Sequence, residues 1–331
     1  MSDPIESIIQ SLVSAKNVLI TTHVKPDGDA LGSAAALQLG LRARGIASAV
    51  LLLSRLPNKY SFVFNDNGIE FRAAEAALPE REWFDSFDRL VCVDTGTFSQ
   101  LPGLESIVPS LAVPKIVIDH HKTQEAWADT LWQDVTASAA GEMIETLFHR
   151  WEIPITPAIA NCLFVAIASD TGWFQFSNTT PRTLRLVATL MEHGVNSDAL
   201  YQHLYQNERA ERLLLQQRAM GSLRFDAEKK IASMIIRKTD FAETGAYVPD
   251  TENLINIPLQ VASVQASVLF VEQPEGGPIR VSFRSKGQID VASFAQQFGG
   301  GGHARASGAK LDGSLDDARE RVVSRLVTEI Y

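Results

Sequence analysis

Apolar positions along the chain fall into short continuous runs alternating with stretches of helical spacing. Over residues 5–15, Ile5, Ile8, Ile9, Leu12 and Val13 share one face, which predicts a short amphipathic helix. Val18-Leu19-Ile20-Thr21-Thr22 follows and reads as a buried strand. Pro26 and Gly28 then punctuate a tight loop, and an Ala-rich pattern over residues 30–44 predicts a helix stopped by Gly45. Further buried strands are predicted over 46–53, 90–93 and 115–118. Apolar strands alternating with helices argue for a parallel sheet covered on both faces.

Downstream, residues 138–151 read as a helix with Met143, Ile144, Leu147 and Phe148 on its buried side. Pro154 and Pro157 open another, in which Ile159, Leu163, Ala166 and Ile167 recur before Asp170-Thr171-Gly172. Residues 181–221 look wholly helical, with Leu213-Leu214-Leu215 as a packing stripe. The pattern then turns to β-type segments over 231–236, 261–271 and 279–283. A glycine run leading into His303-Ala304-Arg305 precedes a last amphipathic helix over 315–330. The expected organisation is α/β: a parallel-sheet domain over 1–185, a helical linker over 186–221, and a smaller α+β domain with a mixed sheet over 222–331.

Composition narrows the function classes. The 331 residues are 45% hydrophobic and 21% charged, ordinary globular values with ample core material. A formal net charge of −9 argues against a long, sequence-independent grip on duplex nucleic acid, but suits a short phosphorylated ligand held by metal ions. The first residues carry two acids and no side-chain cation before Lys16, unlike a secretory leader, and no apolar run is long enough to span a bilayer. Cys92 and Cys162 form no Cys-x-x-Cys, zinc pattern or disulfide framework, so a cytoplasmic location is expected.

The candidate chemistry lies at the strand ends. His23, Asp27 and Asp29 follow the first strand, Asp94-Thr95-Gly96 the strand at 90–93, and Asp119-His120-His121 the strand at 115–118. Open α/β sheets place ligand sites on this edge. Asp170 sits in a helix's last turn, facing the unfavourable end of its dipole. Bland readings stand beside each: Asp27-Gly28-Asp29 as a turn with an N-cap, Asp170 as a solvated helix end. Gathered together, however, two such carboxylates about 4 Å apart repel by about 4 kcal/mol at an effective dielectric of 20, so the cluster must protonate or hold cations. Carboxylates with imidazoles suit Mn²⁺, Mg²⁺ or Fe²⁺.

His-x-x-x-Asp-x-Asp-Ala, Val-Asp-Thr, Asp-His-His, Ser-Asp-Thr-Gly and a late Phe-Gly-Gly-Gly-Gly-His, in that order, resemble the DHH phosphoesterase superfamily with its DHH-associated C-terminal domain. Size and domain pairing are most similar to the nanoRNase subgroup. The resemblance implies two divalent ions, most simply Mn²⁺: one on His23, Asp27 and Asp94, the other on Asp29, Asp94, His120 and Asp170, with Asp94 bridging. It makes Asp119 a support that orients histidine and turns His121 toward substrate. It implies hydrolysis of very short oligoribonucleotides, and of 3′-phosphoadenosine 5′-phosphate to AMP. Alternatives are a cyclic or linear diadenylate phosphodiesterase, a family-II inorganic pyrophosphatase, from which the glycine-rich His loop departs, and a non-catalytic oligonucleotide-binding protein. Single-stranded oligonucleotides and small nucleotides are thus the expected partners, and apolar helices at both ends are compatible with a homodimer.

In the last domain, Gly300, Gly301 and Gly302 offer backbone N–H groups as an anion nest leading to His303, with Arg284 and Lys286 nearby in sequence. Arg284 is the better phosphate clamp, because a guanidinium binds phosphate bidentately. Against these stand a flexible linker and a solvated strand-end charge. Trp173 reads either as a base-stacking residue or as core.

Overall fold

The computed structural model describes residues 3–330, and the chain separates into two compact units, Met1–Asn207 and Glu208–Tyr331. In the first, α1 (Pro4–Val13) leads into β1 (Asn17–Thr21), α2 (Gly28–Ala43) and β2 (Ala47–Leu52). Two short helices, α3 (Ser61–Asn65) and α4 (Arg81–Asp85), flank β3 (Phe71–Ala73). Then come β4 (Arg89–Val93), β5 (Lys115–Asp119), β6 (Thr130–Gln133) and four helices: α5 (Ala140–Arg150), α6 (Pro157–Asp170), α7 (Pro181–Glu192) and α8 (Ser197–Tyr205).

All six strands are parallel, in the order β3-β2-β1-β4-β5-β6. The order reverses between β1 and β4, which opens a crevice at their C-terminal ends, the switch point where such sheets bind ligands. β1, β4 and β5 are buried on both faces, which is why they read as unbroken apolar runs. One face packs α1, α2, α5 and α6 around Ile8, Leu12, Ile20, Leu37, Phe148 and Phe164. The other is filled by Leu19, Phe84, Leu90, Val117 and the short turns after β4.

The helix α2 does not show the amphipathic stripe of a surface helix; thirteen of its residues are buried. It packs on α6 through small residues: a Cβ on Gly28 would strike Ser169, and one on Gly32 would strike the Cys162 carbonyl and Ala166. Glycine inside a helix costs roughly 0.5–1 kcal/mol relative to alanine, offset here by close helix packing. Gly45 takes the left-handed conformation (φ 73°) that ends α2, as the sequence predicts.

The second unit has α9 (Ala210–Gly221), β7 (Arg224–Asp226), β8 (Ile231–Ile236), α10 (Lys238–Thr244), β9 (Ala266–Val271) and β10 (Ile279–Ser285). It closes with α11 (Val291–Gln296), β11 (Gly301–His303), β12 (Ala306–Leu311) and α12 (Leu315–Ile330). The sheet runs β11-β12-β10-β9-β8-β7 and is mixed, with only β8 and β9 parallel. Buried Arg319 of α12 donates to the hydroxyl and carbonyl of Ser233, which fixes that helix to the sheet.

Three expectations are corrected. Residues 181–221 are not one helical stretch but α7, α8 and α9, broken at Gly194 (φ 97°) and again over 206–209. The strand expected over 261–271 begins only at Ala266, because residues 261–264 form a turn closed by the Val264 N–H donating to the Val261 carbonyl. The glycine run is not an open loop: Gly301–His303 pairs antiparallel with β12 as an edge strand.

Candidate metal centre

Every first-unit residue singled out by the motif reading lies at the C-terminal edge of the sheet. Asp27 is the N-cap of α2, its Oδ1 accepting from the N–H groups of Asp29 (3.0 Å) and Ala30 (3.1 Å). His23 lies four residues before it in the loop after β1, Nε2 at 3.9 Å from Asp27 Oδ1 and 3.5 Å from Asp94 Oδ2. The N-cap reading thus holds for Asp27, and the same carboxylate stays within reach of His23 and Asp94. Asp94 follows β4 with a left-handed backbone (φ 63°), a conformation aspartate tolerates better than most side chains. Its other oxygen, Oδ1, is 3.3 Å from His120 Nε2 and 3.7 Å from His121 Nδ1. His120 Nε2 also lies 3.7 Å from Asp29 Oδ2 and 3.8 Å from Asp170 Oδ2. The ligand atoms of His23, Asp27 and Asp94 fall within 4.8 Å of one another, as do those of Asp29, His120 and Asp170.

The histidine tautomers follow from their other contacts. His23 Nδ1 lies 3.0 Å from the Val24 carbonyl and His120 Nδ1 3.2 Å from the Ala137 carbonyl. A carbonyl only accepts, so Nδ1 carries the proton in both rings and Nε2 is turned to the cluster. Asp29 is fully buried; Ser33 Oγ and the N–H groups of Ala140 and Gly141 donate to it. A carboxylate there faces the positive end of α5. Asp119, also fully buried, accepts from His121 Nδ1 at 2.8 Å and from Gln124 Nε2 at 2.5 Å.

Electrostatics record the crowding. Burial opposes protonation of His23, but hydrogen bonding to Asp27 and Asp94 outweighs it and raises its pKa to about 10. His120 is likewise lifted to about 10 against burial, by Asp94, Asp29 and Asp170. Burial and the neighbouring Asp94 charge push Asp29 well above the carboxylate range, and burial raises Asp170. Burial would raise Asp27 too, yet His23 and the helix amides bring it below the usual range. His121 is raised chiefly by its hydrogen bond to Asp119.

Whether this cluster suits divalent ions is answered by its unsatisfied atoms. Asp94 Oδ1 and His120 Nε2 are buried and, although 3.3 Å apart, make no well-aligned hydrogen bond, a costly state for polar atoms unless a cation engages them. The donors are carboxylate oxygens and imidazole nitrogens, the set favoured by divalent ions of intermediate hardness. Cys92 stays outside it, its thiol donating to the Thr95 carbonyl. Beside the cluster is a cavity of about 490 Å³ lined by Asp27, Asp94, Thr97, His121, Lys122 and Asp170, among others. Lys122 and Gln124 escaped the sequence reading, although Lys122 directly follows the Asp-His-His motif.

Two sequence motifs complete the comparison. Residues 17–167 match the N-terminal domain of the DHH family, and residues 226–328 match the DHHA1 domain. A Thermus thermophilus protein named bifunctional oligoribonuclease and PAP phosphatase NrnA is 30% identical over 325 residues, covering 95% of this chain and 90% of that one. The chain belongs to the DHH family. A Bacillus subtilis relative with the same NrnA name is 28% identical over 330 residues, covering 97% of both chains. Among solved structures, an exopolyphosphatase-related protein from Bacteroides fragilis shares the fold, with a TM-score of 0.80, 23% identity, and coverage of 98% of this chain and 96% of that one.

The remaining expected site residues lie in the second unit. Half-buried Arg284 lines a cavity of about 370 Å³ with Arg280 and Ser282, and its guanidinium donates to the Phe283 carbonyl. Lys286 is not free to hold phosphate, since its Nζ donates to the carbonyls of Leu259 and Val261. The nest reading loses part of its basis: Gly299 and Gly300 N–H groups donate to Gln296 and Ala295 carbonyls. Gly301 and Gly302 belong to β11, where a Cβ on Gly302 would strike β12. His303 is in the same strand, and its side chain lies outside the described residues. Trp173 packs against the first core, its ring centroid 5.6 Å from Phe164 and 5.1 Å from Tyr201.

Proposed function

We propose that this chain is a two-ion phosphoesterase that cleaves very short oligoribonucleotides to mononucleotides and removes the 3′-phosphate of 3′-phosphoadenosine 5′-phosphate. One observation carries the reading: two sets of carboxylate and imidazole donors meet on Asp94 at the switch point of the sheet. The chain-long likeness to proteins named for these two activities supports it.

His23, Asp27 and Asp94 would hold one ion, and Asp29, Asp94, His120 and Asp170 the other, with Mn²⁺ the metal that best suits the donors. Such ions polarise a phosphoryl oxygen and acidify water. The chain's own groups do the rest. The tautomers of His23 and His120 are held by backbone carbonyls, so both rings present a lone pair once deprotonated. Asp119 keeps the proton of His121 on Nδ1 and aims the ring into the cavity, where it meets substrate. Lys122 adds a positive charge to the same wall, suited to a phosphate oxygen. Within the second unit, Arg284 and the His303 strand would bind a phosphate group.

The test is purified, Mn²⁺-loaded protein assayed in parallel on a labelled RNA dinucleotide, pApA, 3′-phosphoadenosine 5′-phosphate and pyrophosphate. Turnover of the dinucleotide and of 3′-phosphoadenosine 5′-phosphate is expected. Preference for pApA selects the diadenylate reading, and preference for pyrophosphate selects the pyrophosphatase. Binding without turnover makes the chain a non-catalytic oligonucleotide binder.

A further inference from the structure

Asn178 lies eight residues beyond Asp170, after a loop in which Gly172, Trp173 and Phe174 all have positive φ (55°, 57° and 67°). Its Nδ2 reaches three acceptors: the Ser138 carbonyl at 3.0 Å, the Asp170 carbonyl at 3.1 Å and Asp170 Oδ2 at 3.3 Å. The two backbone carbonyls only accept, so the amide nitrogen must face them, and the opposite orientation is excluded by chemistry.

These acceptors belong to two elements of one metal pocket. Asp170 is a donor in the Asp29, His120 and Asp170 set. Ser138 precedes α5, whose first amides seat Asp29, and its own N–H and Oγ donate to buried Glu142 Oε2 at 3.0 and 2.6 Å. Glu142 is held in turn by Arg182 Nε at 2.7 Å. Asn178 thus ties the end of α6 to the start of α5. Those two elements hold the pocket's two non-bridging carboxylates.

We infer that Asn178 is a positioning residue that holds Asp170 against Asp29 and thereby sets the affinity of the second ion. The need for it follows from charge. Asp170 sits near Asp94, Asp27 and Asp29, and without a restraint its side chain would turn away from them to solvent, since 30% of it is exposed. A neutral amide donor restrains the carboxylate without neutralising it, so the ligand keeps its charge for the cation. Partners of this kind tune metal affinity about 10- to 100-fold. The inference rests on the two-ion reading above.

The experiment titrates Mn²⁺ alone into the full metal-free chain, following free Mn²⁺ by electron paramagnetic resonance and heat by calorimetry. Wild type is expected to bind two ions. Asn178→Ala should weaken one of them about 10- to 100-fold and leave the other within about twofold, because His23 and Asp27 do not touch Asn178. In a dinucleotide assay, the Mn²⁺ concentration for half-activation should rise by the same factor while kcat at saturating Mn²⁺ stays within about threefold. Asn178→Ser, which keeps one donor, should fall between, and serves if the alanine variant does not fold. Two unchanged affinities in a folded variant, or equal loss of both, overturn the inference. A wild type that binds two ions but cleaves no dinucleotide refutes the proposed activity and leaves this inference standing, while a wild type with one ion refutes the two-ion reading itself.

Discussion

Loading the centre with metal should expel protons, and in a number the structure sets. His23 and His120, both raised to about 10, are protonated at neutral pH while no ion is present. Their Nε2 atoms become ligands only when deprotonated. Each ion therefore displaces about one histidine proton, with a further contribution from Asp29 and Asp170, which burial also shifts upward. Between a working pH of about 7.5 and a pKa of about 10, this competition costs about 3.4 kcal/mol per site, roughly 300-fold in apparent affinity. Calorimetric titration with Mn²⁺ in buffers of different ionisation enthalpy should give about two protons released per chain near pH 7.5. Each site's affinity should rise about tenfold per pH unit from pH 6.5 to 8.5. The stability of the metal-free chain runs the other way. A raised folded pKa contributes stability that is complete below the unfolded value, 6.5 for histidine, and disappears as pH rises through about 10. The melting temperature of the metal-free chain should thus fall on the alkaline side, and the increment gained from Mn²⁺ should grow there. Release of less than about half a proton per ion, with pH-independent affinity, would refute the reasoning.

Further outcomes follow from the same geometry. Asp94→Asn should abolish turnover of every substrate and lower ion occupancy, since this carboxylate faces both His23 and His120; normal rates with two ions retained would remove it from the centre. The −9 net charge provides no extended electrostatic track, so kcat/KM should fall steeply as RNA lengthens from two residues to around ten; equal rates on long strands would contradict this. Gln38→Ala should cost about 2–4 kcal/mol in urea unfolding, because buried Gln38 bonds the Ser48 carbonyl and both backbone groups of Glu70; a loss under 1 kcal/mol would show that water replaces it.

The legible parts of this chain are those whose physics is local. Strands β1, β4 and β5 are buried on both faces, so they stand out as apolar runs, and the polar residues that end them read as a site. The edge strand β3, Phe-Arg-Ala, is largely exposed, and β12, Ala-Ser-Gly-Ala-Lys-Leu, is built of small and polar residues; neither has a periodicity to find. Helices α7, α8 and α9 merged in the reading because their breaks depend on Gly194 and four polar residues rather than on a proline. Asn178 was invisible for a different reason. Asn-Thr-Thr reads as a loop, and its amide gains meaning only once Ser138 and Asp170 are brought beside it.

The bare contact between α2 and α6 has a consequence for ion choice. Asp29 rides on the first turn of one helix and Asp170 on the last turn of the other, so the separation of the two axes gauges the opening between their carboxylates. Gly28 and Gly32 keep that gauge at its narrow setting. Mg²⁺ demands oxygen ligands at about 2.0–2.1 Å, whereas Ca²⁺ accepts about 2.3–2.6 Å. A methyl group at position 32, one turn beyond Asp29 on α2, would act as a shim between the helices, widening the jaw and shifting preference toward the larger cation. On the two-ion reading, metal selectivity would be set partly by residues that have no side chain at all.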